Sequence, residues 1–249
     1  MSEPKSSKSF FADYLRKQEE RFQAWCTEHN IEYLLSEEDP RRKAAMERYL
    51  QEQKDRNERE KLEEAEEEAK QRAYELKARI EEFNRMIPTR YITANIGEFN
   101  MGQKSRAILN GASALMLGNN GPGKTHFKWA VAREWVNAGD IVILTKAQEL
   151  LYDVKRRDDP YRYIRETYGR KVKHLVIDET DKIFESKADF VYLNYLVDFR
   201  YEWMLQTFMI GNGDKDSFLA ALGQSIFSRL TGDGGVYIKF DGKDRRQSE

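Results

Sequence analysis

The sequence predicts an α/β protein, with a five-stranded parallel sheet and crossover helices over residues 87–249 and an all-α module over residues 1–86. Three observations carry this expectation. The run Gly118-Asn119-Asn120-Gly121-Pro122-Gly123-Lys124-Thr125 fills every fixed position of the phosphate-binding pattern G-x-x-x-x-G-K-[S/T]. After Pro88, short apolar runs alternate with helical patterns, as strands alternate with crossovers in a parallel sheet. Before it, no glycine or proline interrupts residues 41–86, a stretch dense in charge.

The N-terminal module opens with helical spacing of Phe11, Tyr14, Leu15, Phe22, Trp25 and Cys26, one apolar face among charged residues. Ile31, Tyr33, Leu34 and Leu35 add a short apolar patch. Asp39-Pro40 marks a second helix start, an acceptor at the N-cap followed by proline at the first helical position. That helix is expected to run to about residue 83. Leu62, Ala69, Ala73, Leu76, Ile80, Phe83 and Ile87 fall on three-four spacing, with Glu66 in one seam position. Two readings fit: a solvated connecting helix whose last turns pack on the core, or a self-associating coiled coil. The module's aromatic residues serve either as a docking surface for a partner or as its own core.

In the second region, strands are expected at residues 112–117, 141–144, 174–177, 207–210 and 236–240, and helices at 125–137, 147–157, 189–205 and 216–230. Gly118, Gly121 and Gly123 let the backbone turn tightly, so that successive N–H groups point at a triphosphate from the start of a helix. Lys124 would reach the β- and γ-phosphates, and the Thr125 hydroxyl would ligate Mg²⁺. The third strand ends in Asp178-Glu179, placing carboxylates where a metal and an attacking water would sit. Asp178 would hold the metal and Glu179 would act as general base. The fourth strand runs into Gly211-Asn212-Gly213, which suits either a γ-phosphate contact through Asn212 or an ordinary turn.

Composition bounds the rest. Of 249 residues, 40% are hydrophobic and 34% charged. The single Cys26 excludes a disulfide framework and a cysteine-rich zinc module. His29, His126 and His174 are too dispersed for a structural metal site. Neither a membrane-spanning run nor a signal-peptide core is present, so a cytoplasmic location with no membrane partner is expected. Residues 1–87 hold 22 acidic and 18 basic residues, and the remainder 21 and 24, so neither part is basic enough to indicate nucleic-acid binding by itself.

His126 directly after Gly-Lys-Thr, Val176-Ile177-Asp178-Glu179, the Asn212 strand end, and Phe227-Ser228-Arg229-Leu230 before a closing strand occur together in one group of proteins. The chain resembles the DnaC-type bacterial replicative helicase loaders and the related IstB transposition ATPases, of the initiator clade of AAA+ proteins. The likeness covers roughly residues 87–246 and includes Ile87-Pro88-Thr89-Arg90-Tyr91 at the start of the ATPase domain. It implies an AAA+ core. The chain's end soon after Arg246 implies that the C-terminal helical lid is lacking.

The resemblance assigns roles residue by residue. The loop from Gly118 to Thr125, with Asn119, Asn120, Pro122 and the following His126, corresponds to the ATP-binding segment. Thr125 and Asp178 correspond to the Mg²⁺ site, and Glu179 to the hydrolytic base. Asn212 matches a sensor asparagine, Arg229 an arginine finger that reaches a neighbouring subunit's nucleotide, and Arg246 a second sensor. A surface ion pair is the alternative for either arginine. Gly211, Gly242 and Arg245 depart from the group's usual residues. Residues 147–157 correspond to a helical region that lines a groove for single-stranded DNA. Lys155, Arg156 and Arg157 would meet phosphates, with Tyr161 and Tyr163 stacking on bases, or all would form a solvated, aromatic-packed helix face.

The function this implies is an ATPase that loads a hexameric replicative helicase of the DnaB type onto single-stranded DNA. It would grip the helicase through residues 1–86 and self-assemble through Arg229. An IstB-like transposition regulator and an adaptor that binds ATP without hydrolysing it are the alternatives.

Overall fold

A computed structural model describes residues 7–32, 39–99, 102–119, 121, 123–182 and 187–240. The chain divides into two compact units, Met1–Tyr74 and Glu75–Glu249.

In the first unit, α1 (Ser7–Glu28) and the start of α2 (Pro40–Met86) enclose a small core of Phe22, Trp25, Cys26, Ala45 and Tyr49, with Ile31 packed against it. The aromatics that the sequence leaves open as a docking surface or a core are thus divided. Phe22 and Trp25 are buried, whereas Tyr14 and Leu15 are exposed. Burying the Trp25 indole is compatible with its polar N–H because it donates to Glu52 at 2.7 Å. The Asp39-Pro40 start holds, since Asp39 Oδ1 accepts from the Arg41 N–H at 2.8 Å. Tyr33, Leu34 and Leu35 lie outside the described residues.

The second unit contains the last turns of α2, where Phe83 and then Ile87 are buried, while Leu62, earlier in the helix, is exposed. Its sheet has the order β2-β3-β4-β1-β5, all pairs parallel: β2 (Val142–Lys146), β3 (His174–Asp178), β4 (Gln206–Gly211), β1 (Ala114–Leu117) and β5 (Val236–Lys239). β1 and β4 are buried along their whole length, the continuous apolar pattern of strands covered on both faces. Period-two alternation sends Leu115 and Leu117 to one face and Ala114 and Met116 to the other.

The first face is covered by α5 (Ala147–Lys155), α6 (Pro160–Tyr168), α7 (Lys187–Glu202) and α8 (Lys215–Thr231). The other is covered by α3 (Gln103–Leu109) and α4 (Lys124–Asn137). α8 is broken at Gly223, whose φ of +77° a side-chain-bearing residue rarely adopts.

The strands and long helices match the sequence expectation to within a few residues. α3 and α6 do not appear in it. Each is shorter than three turns, and α6, although amphipathic, is not anticipated even though it repeats the Asp39-Pro40 signature. Asp159 caps it by accepting from the Arg162 N–H at 2.9 Å, with Pro160 at the first helical position.

At the start of the strands, Arg200 is wholly buried. It donates to Thr207 Oγ1 at 3.1 Å and to the Val172 carbonyl at 3.0 Å, and further to the carbonyls of Tyr168, Lys173 and Gln206. It thereby ties α7 to the ends of β3 and β4. No helix among the described residues is long and apolar enough to cross a membrane.

Candidate nucleotide-binding site

The phosphate loop leaves the carboxyl end of β1, a central strand of the sheet. Gly118 has no room for a side chain, because a Cβ there would lie 2.1 Å from the Phe240 carbonyl oxygen. Gly121 and Gly123 have φ of +100° and +111°, so both need the freedom of glycine. α4 then begins at Lys124. Asn120 and Pro122 lie outside the described residues. The Lys124 side chain folds back over the loop, where its ammonium donates to the carbonyls of Gly118 at 2.7 Å and Asn119 at 2.5 Å. With 8% of its surface exposed, it is a buried cation held by loop acceptors.

A cavity of about 480 Å³ opens in front of this loop, within the range of small-molecule sites. Lys124, Thr125, Asp178, Glu179 and Asn212 all line it, as does His126. Residues from β1–α4, the end of β3 and the end of β4 therefore converge on this one cavity. The His126 ring lies 6.0 Å from those of Tyr91 and Phe99, with Nε2 3.4 Å from Glu98.

The carboxylates have partners that the sequence does not reveal. Asp178 Oδ2 accepts from Lys128 at 2.6 Å, and its Oδ1 accepts from the Glu179 N–H at 2.8 Å. Lys128 stands on α4 one turn beyond Lys124. Glu179 has a φ of +57°, uncommon for a residue with a side chain. Its carboxylate lies between Lys182 at 3.0 Å and Lys146 at 3.4 Å. Burial alone would raise the Glu179 carboxyl, but the two ammonium groups outweigh it and hold the pKa below the ordinary value.

Asn212 is fixed by Asp181, which accepts from its backbone N–H and from its side-chain amide, both at 2.9 Å. The Gly211 departure has a local reason. A Cβ at that position would lie 2.6 Å from Thr180 Oγ1, which occupies the space and donates to the Ile210 carbonyl at 3.1 Å.

Arg90 and Tyr91, in a 3-10 turn after Pro88, line the same cavity. Arg133 fastens the following segment to α4 by donating to the carbonyls of Ala94 at 2.8 Å and Ile92 at 2.6 Å. Sequence reasoning assigned no site role to Arg90, Tyr91, Lys128, Lys146, Asp181 or Lys182. Of these, only Arg90 and Tyr91 stand inside a sequence motif, Ile87-Pro88-Thr89-Arg90-Tyr91.

The remaining predicted residues lie elsewhere. Arg229 is in the last turn of α8, paired with Asp198 of α7 and donating to Ser225 Oγ at 2.6 Å. β5 starts level with Ala114, so Arg229 lies near the opposite end of the sheet from the loop, about 13 Å of strand away. Lys155 pairs with Asp189 at 2.8 Å. Arg156 lies over Tyr152 and Arg157 over Tyr163, at 5.0 and 4.2 Å from the ring centres. Tyr161 packs edge-on against Tyr195 at 4.7 Å and is partly exposed. Arg246, with Gly242 and Arg245, lies outside the described residues.

No protein-family profile matches the chain. Over 156 residues it is 26% identical to the replicative helicase loader DnaC of Escherichia coli K12, covering 58% of this chain and 62% of DnaC. It is 28% identical over 130 residues to the uncharacterized protein YdaV of the same organism, covering 50% and 51%. The chain thus spans less than two thirds of the length of these relatives.

Among solved structures, the DnaC helicase loader superposes with a TM-score of 0.51 at 17% identity, over 62% of this chain and all of that one. DnaI gives 0.51 at 18% identity, over 65% and 95%. AMPPCP-bound DnaA from Aquifex aeolicus gives 0.50 at 15%, over 65% and 53%. The chain shares the fold of these structures, an α/β core with a five-stranded parallel sheet, and in sequence it is similar to the replicative helicase loader DnaC.

Proposed function

We propose that this chain is an ATP-dependent loader of a hexameric replicative helicase onto single-stranded DNA. The carrying observation is the meeting of Lys124, Thr125, Asp178, Glu179 and Asn212 around one cavity, in a chain similar to DnaC.

The residues fit a nucleotide and its metal. Lys124 is a buried cation whose loop-carbonyl partners are acceptors that phosphate oxygens can replace. The amino end of α4 favours negative charge. The Thr125 hydroxyl and the Asp178 carboxylate are hard oxygen donors of the kind Mg²⁺ takes. When bound, ATP with Mg²⁺ supplies a γ-phosphoryl group whose hydrolysis can reset the protein. Glu179, kept ionised by the ammonium groups of Lys146 and Lys182 beside it, orients a water and takes its proton. Asn212, held by Asp181, presents its amide to the same cavity. Arg229 acts on the cavity of a second copy, since its position near the other end of the sheet keeps it from its own. The N-terminal helical unit within residues 1–86 is the module that grips the helicase, and Lys155, Arg156, Arg157 and Tyr161 contact the single strand.

Co-purification of the full chain with candidate replicative helicases in the presence of ATP tests this reading. Retention of a helicase hexamer is expected. Recovery of a transposase in its place would replace the loader with a transposition regulator.

A further inference from the structure

We propose that Asp198 holds Arg229 within its own chain and sets the protein concentration at which the guanidinium passes to a second copy. This rests on the reading of Arg229 as a residue that completes a neighbour's nucleotide site.

Asp198 and Arg229 face each other from α7 and α8, their side chains 29% and 32% exposed. Arg229 Nε and Asp198 Oδ1 form an ion pair, and both contacting atoms are shielded from solvent. The carboxylate is anchored on its own helix, where Oδ2 accepts from Asn194 Nδ2 at 3.0 Å one turn earlier. Arg229 is otherwise held by Ser225, through Nη1, and by the face of Tyr201, 5.9 Å from the ring centre.

A guanidinium recognises carboxylate and phosphate oxygens with the same planar fork, so Asp198 and a neighbour's phosphate compete for it. The occupant of this face is a second copy of the chain. The cavity of that copy is built for a triphosphate, the charge that Arg229 complements. Tyr201 and Met204, the latter 93% exposed, line the hollow beside Arg229 and provide apolar surface for the contact. The two side chains are about a third exposed, so a neighbour's phosphate can reach the guanidinium, while the shielded contact of Nε with Oδ1 holds the finger parked in the isolated chain.

The test is light scattering of the full-length protein with a non-hydrolysable ATP analogue, reading the concentration at half-assembly. Asp198→Asn keeps the shape and removes the charge, and should lower that concentration about two- to fivefold. Asp198→Glu restores the carboxylate and should bring it back. Asp198→Asn combined with Arg229→Ala should fail to assemble, as Arg229→Ala alone does. An unchanged or raised concentration for Asp198→Asn, while Arg229→Ala abolishes assembly, overturns the role of Asp198 and leaves that of Arg229 standing. Normal assembly of Arg229→Ala overturns the reading of Arg229 and this proposal with it.

Discussion

Asp181 accepts two hydrogen bonds of 2.9 Å from Asn212, one from the backbone N–H and one from the side-chain amide. The pair joins the 3-10 turn after β3 to the end of β4, beside the candidate metal and base carboxylates. It fixes both the position and the rotamer of the asparagine, which a single contact would not.

Replacing Asp181 by alanine should therefore slow hydrolysis while sparing nucleotide binding. With Asn212 free to rotate, kcat is expected to fall on the order of tenfold to hundredfold. KM for ATP should change by less than about threefold, because Asp181 makes no phosphate contact in this scheme. Steady-state kinetics separates the two quantities. A raised KM at unchanged kcat would instead make Asp181 part of the binding surface.

Lys124→Ala should weaken ATP binding by roughly tenfold to over a hundredfold, the range for loss of a charged hydrogen bond. The loop carbonyls of Gly118 and Asn119, which hold the ammonium in this structure, cannot replace it toward an anion. Calorimetric titration with ATP reads this directly, and unchanged affinity would remove the loop from the site.

The lysine pair around Glu179 makes a pH prediction with a definite sign. Lys182 and Lys146 hold the carboxyl below its ordinary pKa, against the effect of burial. The pairing energy is thus present above the ordinary carboxyl range and is lost as pH falls through the lowered value. Lys182→Ala removes one ammonium and leaves the effect of burial, so the Glu179 pKa should rise. The acid limb of the kcat–pH profile should move to higher pH in that variant. A limb that stays in place, or moves to lower pH, would detach Glu179 from the rate.

Arg200 is predicted to be a stability residue. Burial pushes its guanidinium down to about 9, so it is charged at neutral pH and is satisfied by backbone carbonyls and Thr207. Arg200→Ala orphans several buried acceptors at about 1–3 kcal/mol each, so a loss of at least about 3 kcal/mol is expected in urea unfolding. ATP affinity of the folded fraction should be unaffected, because Arg200 sits at the start of the strands, away from the phosphate loop.

The phosphate loop was legible in the sequence because its chemistry is local: glycine freedom, a lysine and a hydroxyl at fixed spacing between a strand and a helix. Asp178-Glu179 and Asn212 were legible for a related reason, each standing where an apolar strand stops. The partners of these residues were not. Lys128 and Asp178 are 50 positions apart, and Asp181 and Asn212 are 31 apart. Such pairs form only once the order β3-β4-β1 brings the strand ends together, and no periodicity encodes that order. Arg200 escaped notice for the opposite reason. A single arginine near the end of a helix resembles any solvated cation until the chain folds over it. The α6 helix is absent from the sequence expectation although its nine residues are strongly amphipathic, with Ile164 and Tyr168 on the buried side, and although Asp159-Pro160 repeats the signal used at Asp39-Pro40.

The central claim is that this chain uses ATP to place a ring-shaped helicase on a single strand. Its most direct measurement is retention of a replicative helicase hexamer on closed circular single-stranded DNA, which has no end to thread. With the chain and ATP present, stable retention is expected, and Lys124→Ala protein should give none. Equal retention without the chain, or retention that Lys124→Ala protein supports as well as the parent, would contradict the account.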